Sequence, residues 1–416
     1  MRNIGIRRAI AGVAAAALAV GLAACAPAAE VIDLGIDQVD AALPDDVRAQ
    51  LQAATETAMS ATGSPGAIVG VYAPWAGEWV AGLGTTSPEG SAVSADMTIR
   101  ATAATRSMTC DVLYALVENG TVGVDDAVSE WTDSYPNVKD ITLGQLCDGT
   151  SGIGEYTDSI LARVLATPER VWTAGELAAY GLSKERAFDA GTQFAPSDTG
   201  YVLLGIVLER VTGMSLPQLY TKYVFEPLGM SNSRYGATAL TDHALGGFYS
   251  VRSDDGSLNC ASPRDLTALS PSVGAGATGV ESTVEDLAIY ARALASSARP
   301  YDTEDRFADA RPAGANQPSW FTADGGAFQA GTLIGQHGSM PGAMTAVYAD
   351  RETGLAVVVS LSNSRASSAV VRLLAWQLAA IASKAPAADG RTAPESGLPW
   401  TAESLAGQIG DLAICS

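Results

Sequence analysis

Apolar residues recur at helical spacing in three stretches of the chain. Pro44-Asp45-Asp46 opens the first predicted helix, and the run Gly63-Ser64-Pro65-Gly66 ends it. The second helix is predicted over residues 103–120, where Gly120 is placed to end it. The third lies close to the C-terminal end. Their apolar faces consist of Val47, Leu51, Ala54 and Ala58; Met108, Val112, Ala115 and Leu116; and Val370, Leu373, Leu374, Leu378 and Ile381.

Four apolar runs bounded by turn residues predict strands. Two of them, Ala67–Tyr72 and Glu78–Gly84, lie near the N-terminal end, and two, Ala346–Asp350 and Leu355–Leu361, lie near the C-terminal end. The part between them, including residues 160–186, has helical character. We therefore expect a sheet built from both ends of the chain, with a helical insertion from the middle.

Composition restricts the class of protein and its partners. The chain has 416 residues, 47% of them apolar and 43 of them glycine, which indicates a globular, turn-rich protein of one large domain or two smaller ones. A net charge of −20 without a basic run disfavours nucleic acid and anionic lipid surfaces as partners. The two histidines, His243 and His337, and the lack of a Cys-x-x-Cys pair lead us to predict neither a metal site nor a cofactor.

The N-terminal residues have the features of an export signal. Three arginines precede the apolar run Ala9–Ala24, and small residues stand before Cys25. Leu22-Ala23-Ala24-Cys25 is similar to the bacterial lipobox, whose cysteine is lipidated; an ordinary signal peptide is the alternative. A spanning helix is disfavoured because the run is short and broken by glycine. We predict a signal peptide over residues 1–24, a tether over residues 25–44, and a lipid anchor on the outer face of the bacterial cytoplasmic membrane.

Four cysteines remain in the mature chain: Cys110, Cys147, Cys260 and Cys415. An even number of cysteines in an exported protein predicts two disulfides, for which three pairings are possible. Buried free thiols are the alternative.

Several stretches of the chain match the text of one family in the same order. Residues 124–128 (V-D-D-A-V) are close to L-x-x-D-D-x-V, and residues 141–153 (I-T-L-G-Q-L-C-D-G-T-S-G-I) to I-T-I-R-Q-L-L-T-H-T-S-G-I. Residues 194–205 (F-A-P-S-D-T-G-Y-V-L-L-G) are close to F-x-Y-S-N-x-G-Y-x-L-L-G. Further family text lies in residues 209–213, 225–230, 275–288 and 335–342. Over residues 45–383 the chain resembles the serine β-lactamases and D-alanyl-D-alanine carboxypeptidases, the penicillin-binding enzymes of the class C type.

The resemblance implies an α/β (α+β) fold in which an antiparallel sheet flanked by helices lies beside a mainly helical lobe. The sheet lobe would take residues 45–100 and 325–383, the helical lobe residues 101–324, and a C-terminal strap residues 384–416. Cys110 and Cys147 lie on segments that are neighbours in this fold. The resemblance therefore favours the pair Cys110–Cys147 and leaves Cys260–Cys415.

In active members of the family a serine at the start of a helix attacks a carbonyl, and a lysine or tyrosine takes its proton. The resemblance places Ala103 at the serine position and Arg106 at the lysine position, where arginine cannot give up its proton near neutral pH. Pro196 stands for the tyrosine and Asp198 for the asparagine of the Y-x-N loop, and Gln336 stands for the histidine of the last motif. Loss of the serine slows subtilisin about a million-fold, so we expect no acyl-enzyme turnover.

Two alternatives to this assignment stay open. Shifting the last motif by one residue brings His337 to the histidine position, but it leaves Ser339 in place of a glycine. Ser107 lies one helical turn beyond Ala103 and is either a replacement nucleophile, for which no base is suitably spaced, or a helix residue packed against the sheet. Ser151 and Ser339 lie in loops that are structural in the family.

The altered site still predicts a pocket. The N–H groups at the start of the helix over residues 103–120, its dipole and Arg106 would favour an anion such as a carboxylate. Asp198 opposes an anion, or pairs with Arg106 and closes the site; ligand binding and closure are both open. His337 is either a substrate contact or a surface histidine. The candidate ligand contacts are Ala103, Arg106, Ser107, Asp198, Gln336, His337 and Gly338.

Three functions fit the sequence. The first is an exported, membrane-anchored lipoprotein related to β-lactamases that has lost hydrolytic activity and binds a cell-wall peptide-like, acyl or anionic ligand, or an envelope protein, in the old cleft. The second is an active serine hydrolase of the carboxypeptidase, β-lactamase or esterase type with a non-standard nucleophile, which only the fold supports. The third is a structural protein of envelope assembly.

Overall fold

The structure is a computed structural model that describes residues 31–132, 135–236, 243–253, 255–302, 304–395 and 397–415. The predicted signal peptide and Cys25 lie outside the described residues. The described strands are β1 (Gly66–Ala73), β2 (Gly77–Gly84), β3 (Ile99–Arg100), β4 (Arg234–Tyr235), β5 (Phe248–Tyr249), β6 (Arg264–Asp265), β7 (Val280–Ser282), β8 (Arg311–Pro312), β9 (Phe321–Asp324), β10 (Ala327–Ala330), β11 (Leu333–Met340), β12 (Ala343–Asp350) and β13 (Ala356–Leu361). The described helices are α1 (Asp45–Thr62), α2 (Ala104–Glu118), α3 (Leu143–Cys147), α4 (Thr157–Ala166), α5 (Ala174–Leu182), α6 (Asp198–Thr212), α7 (Leu216–Tyr220), α8 (Glu226–Leu228), α9 (Ala275–Thr278), α10 (Val284–Ala295), α11 (Ala369–Ala382) and α12 (Ala402–Asp411).

Eight strands form one antiparallel sheet in the order β2-β1-β13-β12-β11-β10-β9-β8. Its central strands are buried on both faces because helices cover each of them. Ile68 and Val358 face the layer that contains α2 and α10, whereas their neighbours Val69 and Val357 face α1 and α11. Strands from the two ends of the chain lie side by side, as the apolar pattern predicts.

The second part of the sheet begins before residue 325, the boundary that was predicted for it. β8 and β9 precede that point, and β9 and β10 form a hairpin whose turn residues, Gly325 and Gly326, have φ angles of +55° and +76°. Both positions need a positive φ, which glycine adopts without strain. Strands of two and four residues are too short for an alternation to be recognised, although Asp324-Gly325-Gly326 is a hairpin signal.

The helical stretch predicted over residues 160–186 is two helices, α4 and α5, and Pro168 lies between them. No single helix among the described residues is long and apolar enough to span a membrane; α6 and the bent continuation Leu216–Leu228 meet the length and hydropathy criteria only together.

Residues 31–44, which the sequence analysis assigned to a tether, lie along the folded body. The Ile32 N–H group donates to the Pro227 carbonyl at 2.8 Å, and the Leu43 N–H group donates to the Glu78 carbonyl at 2.9 Å. The first contact is to the helical lobe and the second to β2. The described part of the predicted tether is therefore held at two places and is not a loose chain.

The C-terminal strap is also attached to the body. The Trp75 indole N–H donates to the Ala385 carbonyl at 3.0 Å, and the ring of Trp400 stacks on that of Trp376 with 5.0 Å between centroids. α12 follows the strap and buries Leu405 and Ile409. These contacts continue the layer formed by α1 and α11.

Both predicted disulfide pairs are confirmed. Cys110 and Cys147 join α2 to α3, with 5.5 Å between their Cα atoms, and Cys260 and Cys415 join the C-terminal end to the loop before β6, with 5.9 Å between theirs. The first disulfide lies directly below the β9–β10 turn, because a Cβ atom on Gly326 would lie 2.5 Å from the Cys110 Sγ.

A buried ion network holds α2 to the segment that follows α10. The Asp111 carboxylate accepts a hydrogen bond from Arg299 Nη1 at 2.6 Å and one from Arg306 Nη1 at 2.7 Å. Asp302 accepts from the same two arginines at 2.5 and 2.6 Å. Arg306 Nη2 also donates to the Gly325 carbonyl at 2.9 Å, so the network fixes the β9–β10 turn.

The substitution Asp111→Asn should lower the free energy of unfolding by about 3–5 kcal/mol, because it removes one charge of a buried network and leaves two arginines short of a counter-ion. Urea unfolding measures the change. The control is Asp140→Asn, which removes the partner of Arg186 from a pair whose carboxylate is 62% exposed. That change should be below about 1 kcal/mol. Equal losses in the two variants would contradict this account of the network.

Candidate functional site

The start of α2 is tightly packed against β11. Thr102, which precedes the helix, has a φ of +46°, a strained conformation for a β-branched residue. Ala103 is completely buried. A Cβ atom on Gly338 would lie 2.5 Å from the Ala103 Cβ, so glycine is needed for β11 to approach this closely. Position 103 therefore carries no nucleophilic atom and is covered by the backbone of β11.

The first N–H groups of α2 are engaged within their own turn. The N–H groups of Ala104, Thr105 and Arg106 donate to the carbonyls of residues 101, 102 and 103, at 3.1, 3.1 and 2.9 Å. Bonds of this kind satisfy donors that a helix terminus otherwise leaves open. Three of the N–H groups expected to bind an anion are therefore engaged with the protein itself.

Arg106 and Asp198 form a buried ion pair between α2 and α6. Nε and Nη2 of Arg106 both donate to Asp198 Oδ1, at 3.0 and 2.6 Å. The Arg106 side chain is 14% exposed and the Asp198 side chain 8%. Burial acts to lower the pKa of Arg106, but Asp198, Tyr201 and Glu155 together outweigh it and raise this pKa above its usual value. Arg106 thus stays protonated and cannot act as a base.

Glu155 is a third charged group at this place. Its Oε2 accepts from the Asp198 N–H group at 2.8 Å, and its Oε1 accepts from the Thr157 N–H group at 3.1 Å. Burial, together with the charge of Asp198, raises the pKa of Glu155. Glu155 was not among the predicted site residues because it lies in a loop without periodicity. Its position two residues after the Thr150–Ile153 motif is the one available signal.

The ion pair does not fill the cleft. A cavity of about 400 Å³ lies beside it, bounded by α4, α6 and β11. Its polar wall carries charged side chains and a histidine, and its other walls are apolar and aromatic. The lining includes Arg106, Glu155, Asp158, Pro196, Asp198, His337 and Gly338 on the polar side, and Ile160, Leu161, Val164, Tyr249, Phe328 and Met340 on the apolar side. Arg106 and Asp198 are therefore paired, and the cavity beside them is still open.

Ser107 and Gln336 lie behind the cleft, below the β9–β10 turn. Ser107 Oγ and Gln336 Nε2 both donate to the Gly326 carbonyl, at 2.6 and 2.9 Å. The space beside Gln336 is about 10 Å³, room for about one water molecule. Of the seven candidate ligand contacts, Arg106, Asp198, His337 and Gly338 line the cavity. Ala103, Ser107 and Gln336 do not.

His337 lies on β11, an inner strand of the sheet between β10 and β12. Its Nδ1 lies 2.7 Å from the Tyr348 hydroxyl, and its ring lies 4.6 Å from that of Phe328. Burial and the positive charges of Arg372 and Arg106 hold the pKa of His337 well below its usual value. His337 is thus a hydrogen-bonded, neutral group on the cavity wall.

Serines do reach the cavity, but they lack a base. Ser339, Ser364 and Ser368 line it, and Ser364 Oγ accepts from the Gly342 N–H group at 2.8 Å. No titratable side chain of the described residues makes a hydrogen bond to these three hydroxyls. Within the same residues, no three His, Cys, Asp or Glu side chains converge as metal ligands would.

The family model described as Beta-lactamase matches residues 51–383. The chain belongs to the Beta-lactamase family. It is 28% identical over 155 residues to penicillin-binding protein 4* of Bacillus subtilis strain 168, a match that covers 34% of this chain and 32% of that protein. It is 29% identical over 146 residues to the D-alanyl-D-alanine-carboxypeptidase/endopeptidase AmpH of Escherichia coli K12, covering 34% and 37%. The matched part spans about a third of the length of these relatives.

Solved structures show the same fold. The crystal structure of a D-stereospecific amidohydrolase from a Streptomyces species superposes with a TM-score of 0.68 at 24% identity, covering 78% of this chain and 96% of that one. The predicted architecture, an antiparallel sheet flanked by helices with a mainly helical lobe, is therefore confirmed. At this identity the likeness concerns the fold alone.

Two carboxyl groups meet beside the β9–β10 turn. Asp148 Oδ1 and Asp324 Oδ1 both accept from the Gly325 N–H group, at 3.1 and 2.9 Å. Burial, followed by the charge of Asp324, raises the pKa of Asp148 to about 7. Asp148 stands where the family text has a threonine, and the sequence alone gives it no role.

Asp148→Asn should alter how stability depends on pH. Below about pH 7 the folded protein holds a proton on Asp148 that the unfolded chain releases near pH 4, so this group makes the protein less stable as the pH rises towards 7. Between pH 5 and 8 the variant should gain about 2–3 kcal/mol relative to the unmodified protein in urea unfolding. The exposed Asp125→Asn serves as control and should show no such gain. A difference that is independent of pH would rule out the raised pKa.

Proposed function

We propose that this chain is a non-hydrolytic member of its family that binds a small peptide-like ligand, or an envelope protein, in the cavity beside Gly338. Ala103 carries the proposal: the position from which a family member attacks its substrate has a buried methyl group. Catalysis through a covalent intermediate needs a nucleophile and a base within hydrogen-bond reach of it. Arg106, held protonated by Asp198, supplies neither.

The cavity supports binding. Its volume of about 400 Å³ falls within the range of small-molecule sites, and its walls combine an apolar surface with a few fixed polar groups. The names of the relatives refer to penicillin binding, to D-alanyl-D-alanine bonds and to D-stereospecific amides. From them we infer a ligand that resembles a short peptide with a D-residue. An anionic ligand is less well supported, because three of the helix N–H groups expected to bind it are engaged within the first turn.

Covalent probes test this proposal. A labelled penicillin and a fluorophosphonate should leave the purified domain unlabelled, while an active serine hydrolase in the same tube is labelled. The matched variant is Ser107→Ala, which should behave like the unmodified domain because Ser107 already donates to the Gly326 carbonyl. Labelling of the domain that disappears in Ser107→Ala would instead favour the second candidate, an active hydrolase.

We further propose that the protein is exported and anchored to the outer face of the cytoplasmic membrane through a lipid on Cys25. The basic residues, the apolar run and Leu22-Ala23-Ala24-Cys25 support this. In a bacterium grown with radioactive palmitate, the full chain should be labelled and recovered with membranes, and Cys25→Ser should be neither. Labelling that persists in Cys25→Ser would contradict the anchor.

A further inference from the structure

The cavity carries an excess of negative charge. Three carboxylates line it, on Glu155, Asp158 and Asp198, against the one guanidinium of Arg106. The histidine on its wall, His337, adds no positive charge near neutral pH, because burial and nearby arginines keep it neutral. Burial and the charge of Asp198 raise the pKa of Glu155, but Asp158 and Asp198 alone outnumber Arg106, so the charged groups that face a ligand favour a cation.

One oxygen of Asp198 is left for a ligand. Both hydrogen bonds from Arg106 end on Oδ1, and no described residue donates to Oδ2. The Asp198 side chain is only 8% exposed, and it lines the cavity. Oδ2 is not enclosed by the protein, so it can accept a charge-assisted hydrogen bond from a ligand in the cavity.

Glu155 holds this arrangement in place. Because its two oxygens accept from the N–H groups at the starts of α4 and α6, the carboxylate cannot turn away from the cavity without losing both bonds. Asp158, on the first turn of α4, adds a more exposed charge at the mouth. Tyr249 and Phe328 supply aromatic surface to the cavity lining.

The geometry points to a ligand that has a protonated amine on an apolar, aromatic or aliphatic body. The amine donates to Asp198 Oδ2 beside the Glu155 carboxylate, and the apolar body lies against Tyr249, Phe328 and α4. The free amino end of a peptide-like molecule and a simple arylalkylamine share this chemistry. The inference rests on the proposed function, since it assigns a ligand class to the same cleft, and it reverses the anionic preference that the sequence suggests.

Calorimetric titration of the intact domain with three probes of nearly equal shape tests the inference: 2-phenylethylamine, 3-phenylpropanoate and 2-phenylethanol. The amine should bind about tenfold or more tightly than the carboxylate and the alcohol, because it alone pairs with a buried charge. Preference for the carboxylate, equal binding of the three, or no binding of the amine would overturn the assignment.

Substitutions test which carboxyl groups account for the binding of the amine. Glu155→Gln should weaken amine binding about tenfold, whereas Glu118→Gln, on the exposed end of α2 and outside the cavity, should leave it within about twofold. Asp198→Asn should abolish the preference for the amine because Arg106 then loses its partner. If Asp198→Asn does not fold, the Glu155→Gln variant and the comparison of the three probes still test the amine assignment. Unchanged amine binding in Glu155→Gln would refute the assignment.

The two proposals fail separately. Covalent labelling of the domain would refute the non-hydrolytic function whatever the charge of the ligand. A preference for the carboxylate would refute the amine assignment and leave the absence of labelling as it stands.

Discussion

The ion pair between Arg106 and Asp198 joins α2 to α6, and the chemistry of the cleft depends on it. The guanidinium is held between the carboxylate and the ring of Tyr201, whose centroid is 5.4 Å from its central carbon. At this burial the removal of either partner leaves an uncompensated charge, which is strongly unfavourable. Arg106 and Asp198 therefore depend on each other, and their pair has a structural role.

On the side of the cleft formed by β11, close packing covers position 103. Gly338 brings β11 against Ala103, and the β9–β10 turn accepts hydrogen bonds from Ser107 and Gln336. The buried network around Asp111 holds that turn from behind through Arg306. The side chains of Ala103, Arg106, Asp198 and Gln336 thus all contact other parts of the protein. What remains for a ligand is the space between α4, α6 and β11.

Much of the fold follows from the sequence because its periodic segments are long. The apolar faces of α1, α2 and α11 are the ones that the spacing predicts, and the resemblance supplied both disulfides. The pairing of Arg106 with Asp198 could be foreseen as one of two alternatives, since opposite charges stand at neighbouring family positions. The short hairpin β9–β10 was missed because four residues show no usable alternation.

The charge of the cleft could not be predicted in the same way. Glu155 and Asp158 lie in and just after a loop, where no pattern indicates which way a carboxylate points. Only tertiary structure brings them beside Asp198. The helix start looked like an anion site because a sequence does not show that the first N–H groups of α2 bond within their own turn. For both reasons the sequence suggested an anionic ligand, whereas the charges around the cavity favour a cation.

The most direct measurement of the central claim is the chemical fate of an amine ligand held in this cleft. D-phenylalanine amide has an amino group, an aromatic body and an amide bond next to a D-residue. It can be kept for a day with an equal amount of the domain and then analysed by mass spectrometry, beside a sample in buffer alone. The account predicts that the amide is bound and recovered intact, with the protein mass unchanged. Release of one equivalent of D-phenylalanine, or an acyl group on the protein, would contradict it.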